Sequence, residues 1–163
     1  MLNILSAIAI ATAPVPPSLA VPANAHLMLR AQGRGVQIYV CAAPPDQPGH
    51  YDWRFVAPQA DLFGPDGARI GRHYAGPTWE GVDGGKVVGE LRAHAPSPAP
   101  TAIDWLLLSA KSANQAGALG TVSFVQRVNT VGGRAPAGGC AGANKGEEKR
   151  IPYSAEYDFY TSR

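Results

Sequence analysis

The sequence predicts an all-β protein with a single domain, an antiparallel β-sandwich or barrel of roughly eight to ten short strands. The first observation is length, because 163 residues can bury one core but are short for two domains. The second is periodicity, because apolar residues recur at every second position in segment after segment, and no segment sustains the helical period of 3.6. The third is composition: 19 Gly and 15 Pro indicate many turns.

The N-terminus predicts a secretory signal. Residues 2–13 form an apolar run, and it is shorter than the roughly 20 residues that span a bilayer. We expect a signal peptide over residues 1–20, cleaved after Ala20, followed by one all-β domain over residues 21–163 and no transmembrane segment. Cleavage after Ala25 is an alternative, and it would expose His26 as an N-terminal copper ligand.

The first half of the domain alternates clearly. Alternation over residues 26–31 resumes after a break at Gly33-Arg34-Gly35, and the next strand carries aromatic residues on one side. Turns are predicted at Gly64-Pro65-Asp66-Gly67, at Gly76-Pro77 and at Asp83-Gly84-Gly85, because Gly accepts positive φ and Pro presets φ.

The second half follows a Pro/Ala linker at residues 95–100 that is too short to divide domains. Residues 103–110 are apolar on both faces and predict a central strand, while residues 121–129 alternate more cleanly. A Gly-rich stretch over residues 132–149 predicts a solvated loop. Residues 151–160 predict the last strand, with Ile151, Tyr153, Ala155, Tyr157 and Phe159 on one face.

Two cysteines bear on the compartment. In an oxidising location, Cys41 and Cys140 favour a disulfide, which would contribute up to about 4.7 kcal/mol by closing a loop of about 100 residues. The alternative is two buried thiols. With the signal, the disulfide predicts a secreted or periplasmic protein.

Several functions are not indicated. The net charge is +2 with scattered cations, so no basic face for nucleic acid is expected. The chain has no G-x-S-x-G elbow, no phosphate-binding G-x-x-x-x-G-K-[ST] loop and no C-x-x-C pair.

The candidate site lies in residues 71–80, GRHYAGPTWE. One hypothesis places His73 and Glu80 together as catalytic or metal-binding groups of a metal-dependent hydrolase or oxidoreductase. Another has Arg72, Tyr74 and Trp79 lining a binding cleft. A third is that these residues only pack around a turn.

We expect a non-enzymatic binding domain for a small molecule, glycan or surface partner, with no cofactor. The metal-dependent enzyme is the alternative, and its candidate ligands for a divalent metal are His73, Glu80 and His26.

The chain also resembles the family catalogued as domain of unknown function 3455. The segments that carry the resemblance are 36–41 (VQIYVC), 57–63 (APQADLF), 73–80 (HYAGPTWE), 105–107 (WLL), 126–133 (QRVNTVGG) and 152–153 (PY). The resemblance implies a single secreted domain and supplies no site residues, because the family has no established activity.

Overall fold

In residues 13–162, which the computed structural model describes, eight antiparallel strands pair in sequence order and close into a barrel. The strands are β1 (His26–Ala42), β2 (Asp52–Phe63), β3 (Arg69–Tyr74), β4 (Thr78–Gly81), β5 (Lys86–Ala95), β6 (Trp105–Ala113), β7 (Phe124–Gly132) and β8 (Glu148–Thr161). Short 3-10 helices lie at Pro17–Leu19, Leu119–Thr121 and Gly142–Asn144. The predicted all-β class is confirmed, and the architecture is the barrel.

The period of two decides which side chains fill the barrel. The alternation predicted for the last strand is confirmed, because Tyr153, Ala155, Tyr157 and Phe159 of β8 are all buried. They pack with inward residues of the other strands, and these include Ala31, Leu62, Trp79, Val87, Leu108 and Val125. The main core is therefore the barrel interior.

The predicted break at Gly33-Arg34-Gly35 is wrong. β1 runs through these residues, paired with β2 on one side and with β8 on the other. A Cβ at Gly33 would lie 2.5 Å from the ring of Tyr157, and one at Gly35 would lie 2.0 Å from the carbonyl oxygen of Gln59. The glycines therefore permit close approach inside a continuous strand.

The predicted turns are confirmed. Residues 64–67 join β2 to β3, Gly76-Pro77 lies between β3 and β4, and residues 83–85 lie between β4 and β5. Gly67 and Gly84 have φ angles of 82° and 85°, in the left-handed region that favours glycine.

The strand predicted from residues 103–110 is apolar on both faces because both faces are packed against other parts of the chain. Leu106 and Leu108 of β6 line a cavity inside the barrel, whereas Trp105 and Leu107 belong to a separate cluster. The N-terminal strap, defined here as residues 13–21, packs against this second cluster through Leu19. The outer face of β6 is thus a small second core.

Two contacts fix the strap. The side chain of Leu19 is 0% exposed and packs with Trp105, Leu107 and Val128. The side-chain amide of Gln126 donates a hydrogen bond to the carbonyl oxygen of Leu19 at 2.6 Å. Residues 1–12 of the predicted signal lie outside the described residues. Cleavage after Ala20 would remove Leu19 from the outer cluster.

The predicted disulfide is confirmed. Cys41 at the end of β1 is bonded to Cys140, with 5.4 Å between their Cα atoms and a sequence separation of 99. The amide of Cys41 also donates to the carbonyl of Glu147, and the amide of Gly146 donates to the carbonyl of Cys41. The loop before β8 is therefore held against β1. Within residues 13–162, no helix is long and apolar enough to cross a membrane.

Replacing Leu19 tests the strap. Leu19→Ala should lower the free energy of unfolding by about 2–5 kcal/mol, because it opens a cavity between the strap and β6. Denaturant unfolding, followed by tryptophan fluorescence, measures the change. Val15→Ala is the matched control, since Val15 lies in the same strap but is 41% exposed. Equal stability of the two variants would show that the strap contributes nothing.

Candidate functional site

The β3–β4 hairpin divides the predicted site residues between two faces. His73 pairs with Trp79, and Arg72 pairs with Glu80, in the register of the hairpin. His73 and Trp79 point into the barrel and are buried, while Arg72 and Glu80 point outward. Tyr74, two positions after Arg72, lies on the outer face as well.

The structure does not bring His73 and Glu80 together. Directly paired residues share a face and neighbours along a strand alternate between faces, so Glu80, which pairs with Arg72 and not with His73, lies on the face opposite His73. His26, the other candidate metal ligand, is exposed at the start of β1. Among residues 13–162, no group of three or more His, Cys, Asp or Glu residues is arranged to hold a metal ion.

The outward residues form a charge network. Tyr74 donates its hydroxyl hydrogen to Glu80 Oε2 at 2.5 Å, and Arg72 Nη2 donates to the same oxygen at 3.2 Å. The hydrogen bond from Tyr74 lowers the pKa of Glu80 below its usual value, and the contact with Arg72 lowers it further. The Arg72 guanidinium also lies 4.9 Å from the centre of the Tyr74 ring.

This network continues across five strands. Cross-strand pairing places Arg34, Asp61, Arg72, Glu80 and Lys86 in one row, with alternating sign. Opposite charges on directly paired positions stabilise a sheet. Arg72, Tyr74 and Glu80 are therefore accounted for by the outer surface, and Arg72 and Tyr74 border a groove there.

The inward residues border a cavity that reaches from the barrel interior to the β3–β4 turn and is partly open to solvent, since Phe55 and Val56 on its wall are 57% and 54% exposed. Its volume is about 250 Å³. Its wall is formed by polar and aromatic side chains from β1, β3, β4, β7 and β8 and by apolar side chains from β2 and β6. These are Gln37, His73, Trp79, Arg127 and Tyr157 in the first group and Phe55, Val56, Pro58, Leu106 and Leu108 in the second. The interior of an eight-stranded barrel is either filled by side chains or holds one small ligand.

His73 is held in one orientation on the cavity wall. Its ring stacks on Trp79 with 4.4 Å between centroids and 12° between planes. Nδ1 donates its hydrogen to the carbonyl oxygen of Thr78 at 2.8 Å, which leaves Nε2 as an acceptor. Burial lowers the pKa of His73 to about 3, so the ring is neutral near neutral pH.

Two buried donors, in residues that line the cavity, have no partner among the described residues. They are Nε2 of Gln37 and Nε1 of Trp79, whose side chains belong to residues 2% and 1% exposed. Buried polar groups are nearly always hydrogen-bonded, since an unpaired one loses its hydration without compensation. A third such atom, Nε1 of Trp105, belongs to the outer cluster.

Arg127 places a positive charge beside the same cavity. Its Nε and Nη2 donate to the main-chain carbonyl of Asp104 at 3.0 and 2.8 Å. The Asp104 carboxylate contacts His94 and Arg134 instead. Burial raises the pKa of Tyr157 and of Tyr153, and the charge of Arg127 opposes both shifts.

An outer cavity of about 750 Å³ adjoins the inner one. The two share Gln37, Phe55, Leu106 and Arg127 in their walls. Phe55 and Leu91, at this outer cavity, are 57% and 53% exposed although both are large and apolar. The two cavities therefore lie side by side, and Phe55 and Leu91 give the outer one an apolar rim.

Gln37 and Arg127 were not among the residues predicted from the sequence. Each is a polar residue on the inward face of an alternating strand: Gln37 shares its face with Tyr39 and Cys41, and Arg127 shares its face with Val125. A polar residue in an otherwise buried face is the signal that could have identified them.

Fold and site together define a small closed β-barrel with an internal cavity that is apolar apart from a few polar groups. The family described as "Protein of unknown function (DUF3455)" matches residues 22–161, and the chain belongs to this family. No curated protein and no solved structure matches the chain.

The buried histidine should make stability depend on pH. Between the folded pKa of about 3 and the ordinary 6.5, the unfolded chain binds a proton that the folded chain does not, so stability falls as pH falls. His73 should contribute a loss of about 2 kcal/mol between about pH 7.5 and pH 5.

Denaturant unfolding at these two pH values measures the loss, and His73→Asn should reduce it. His26→Asn is the control, because its exposed ring is hydrated in the folded and unfolded chains alike. A loss of the same size in His73→Asn and in the unmodified protein would show that His73 is not its source.

Proposed function

We propose that this protein binds a small molecule in the cavity inside its barrel and does not catalyse a reaction. The observation that carries the proposal is the pair of unpartnered donors, Gln37 Nε2 and Trp79 Nε1, on the wall of a cavity of about 250 Å³. Both atoms are almost fully buried, so a ligand that carries hydrogen-bond acceptors would pair with them once the side chains around the cavity shift to admit it.

The size and lining of the cavity limit the ligand. A cavity of about 150 Å³ lined by apolar side chains holds a benzene ring, so this one has room for a single ring with a substituent. The apolar wall from Leu106, Leu108 and Val56 favours an apolar body. These features support a small molecule over a glycan, which would present hydroxyl groups on most of its surface.

The state of His73 supports binding over catalysis. A general base works best when its pKa lies near the working pH. Burial lowers the pKa of His73 to about 3, and its Nδ1 hydrogen is held by Thr78. The alternative, a metal-dependent enzyme centred on His73 and Glu80, gains no support from two side chains on opposite faces of a hairpin.

Titration with single-ring probes tests the proposal. Acetophenone and benzoate, each added to isotopically labelled protein, should shift the indole N–H resonance of Trp79 and the side-chain amide of Gln37. The resonances of Trp53 and Trp105 are internal controls, because neither residue borders the inner cavity. They are assigned with Trp53→Phe and Trp105→Phe.

Leu106→Trp should weaken binding by about tenfold or more, because the larger ring fills the cavity. Val131→Trp, at a position 62% exposed on β7, is the matched control. Shifts confined to surface residues, or unchanged binding in Leu106→Trp, would refute binding inside the barrel.

We also propose that the domain works outside the cytoplasm, in the periplasm or the extracellular space. The Cys41–Cys140 bond supports this location, since structural disulfides persist in oxidising compartments. The contacts of Leu19 favour a mature N-terminus upstream of that residue over one after Ala20.

Protein recovered from the exported fraction tests both statements. Cys41 and Cys140 should resist alkylation until a reductant is added, and N-terminal sequencing should find a chain that retains Leu19. A control sample, made with Cys41→Ser and Cys140→Ser, defines the signal of a chain without thiols. Free thiols would argue against the proposed location, and an N-terminus at Val21 would show that the strap is removed.

A further inference from the structure

The cavity wall carries a positive charge that no carboxylate of the described residues neutralises. Arg127 forms no ion pair with a carboxylate among these residues. The guanidinium is half-buried, and its Nε and Nη2 donate to the carbonyl of Asp104. A charge in a partly dehydrated site is ordinarily paired, because dehydration without a counter-charge is costly.

We propose that the ligand of this cavity is a small anion, an apolar body carrying a carboxylate that Arg127 binds. This inference rests on the function proposed above and specifies its ligand. A carboxylate has two acceptor oxygens, which suit the charged donors of Arg127, and further acceptors on the ligand could pair with Gln37 Nε2 or Trp79 Nε1.

Three features of the cavity agree with a carboxylate. Gln37 and Arg127 border both the inner and the outer cavity, so the charge that would bind the carboxylate lies where the two cavities adjoin. The positive charge acts inward, since Arg127 adds to burial in lowering the pKa of the neutral His73. No acidic side chain of the described residues borders the inner cavity, so its wall carries no negative charge that would repel an anion.

The rest of the wall selects the body of the ligand. Leu106 and Leu108 on β6 and Val56 on β2 are apolar, and the stacked rings of His73 and Trp79 add a flat aromatic surface. Phe55 and Leu91 present apolar surface at the outer cavity. Arg127 would bind the carboxylate while these residues contact the ring or chain attached to it.

A comparison of charged and neutral probes of the same shape tests this inference. Benzoate and benzamide are titrated into the full chain, with calorimetry for affinity and the Trp79 indole N–H resonance for location. Benzoate should bind about tenfold to a hundredfold more tightly than benzamide, since hydrogen bonds to a charged group are the stronger ones.

Arg127→Gln should abolish the preference for benzoate, and Arg127→Lys should retain part of it. Arg92→Gln is the control for a lost positive charge outside the cavity, since Arg92 contacts Glu90 and Ser109. Thermal unfolding of each variant checks that it is folded. Should Arg127→Gln fail to fold, the Arg127→Lys preference for benzoate over benzamide carries the test.

The outcomes separate the two proposals. Equal binding of benzoate and benzamide at Trp79, or a preference that survives Arg127→Gln, overturns the anionic ligand and leaves binding in the cavity intact. Failure of every probe to shift the Trp79 resonance overturns both proposals.

Discussion

Closure of the barrel by the pairing of β1 with β8 is the constraint on which the rest of this structure depends. Closure leaves no free edge and gives every strand an inner and an outer face, so the period of two decides whether each side chain is buried. It also brings strands close together. Gly33 allows the ring of Tyr157 to fill the interior beside β1, and Gly35 allows β2 to approach β1.

The same constraint converts scattered polar residues into one site. Gln37, Trp79 and Arg127 lie on three strands that are far apart in the sequence, and they line one cavity because each occupies an inward position. The segment GRHYAGPTWE is divided by this rule. His73 and Trp79 contribute to the interior, while Arg72 and Glu80 stabilise the outer surface. A hairpin that reads as one motif in the sequence thus serves two separate purposes.

Features that depend on neighbouring residues could be predicted from the sequence, and features that depend on distant pairing could not. The strand periods and the turns at Gly67 and Gly84 are local, and they were predicted correctly. The choice between sandwich and barrel depends on β1 meeting β8, which no local pattern encodes. The packing of Leu19 on Trp105 is equally non-local. The separation of His73 from Glu80 follows from the register of the hairpin. The Gly76-Pro77 turn shows where the chain reverses, but it does not show which residues of the two strands pair.

The polar lining is the feature that stability alone does not explain. Each unpaired buried donor costs about 1–3 kcal/mol, and leucine or valine at these positions would fill the interior without that cost. Residues that violate local rules of stability are expected where function requires them. Among the described residues, two of the three unpaired buried donors, Gln37 Nε2 and Trp79 Nε1, and the charge of Arg127 belong to residues that line the same cavity, while the third donor, Trp105 Nε1, lies in the outer cluster. A ligand that pairs with these groups would offset the free-energy cost of leaving them unpaired, and by mass action it would stabilise the folded chain as it binds.

His73 is neutral, and its ring is fixed by the hydrogen bond to Thr78, so it adds a rigid surface to the cavity wall. A catalytic histidine, in contrast, would have to gain and lose a proton. Unsatisfied donors beside a rigid neutral ring are thus the physical basis for proposing a binding site.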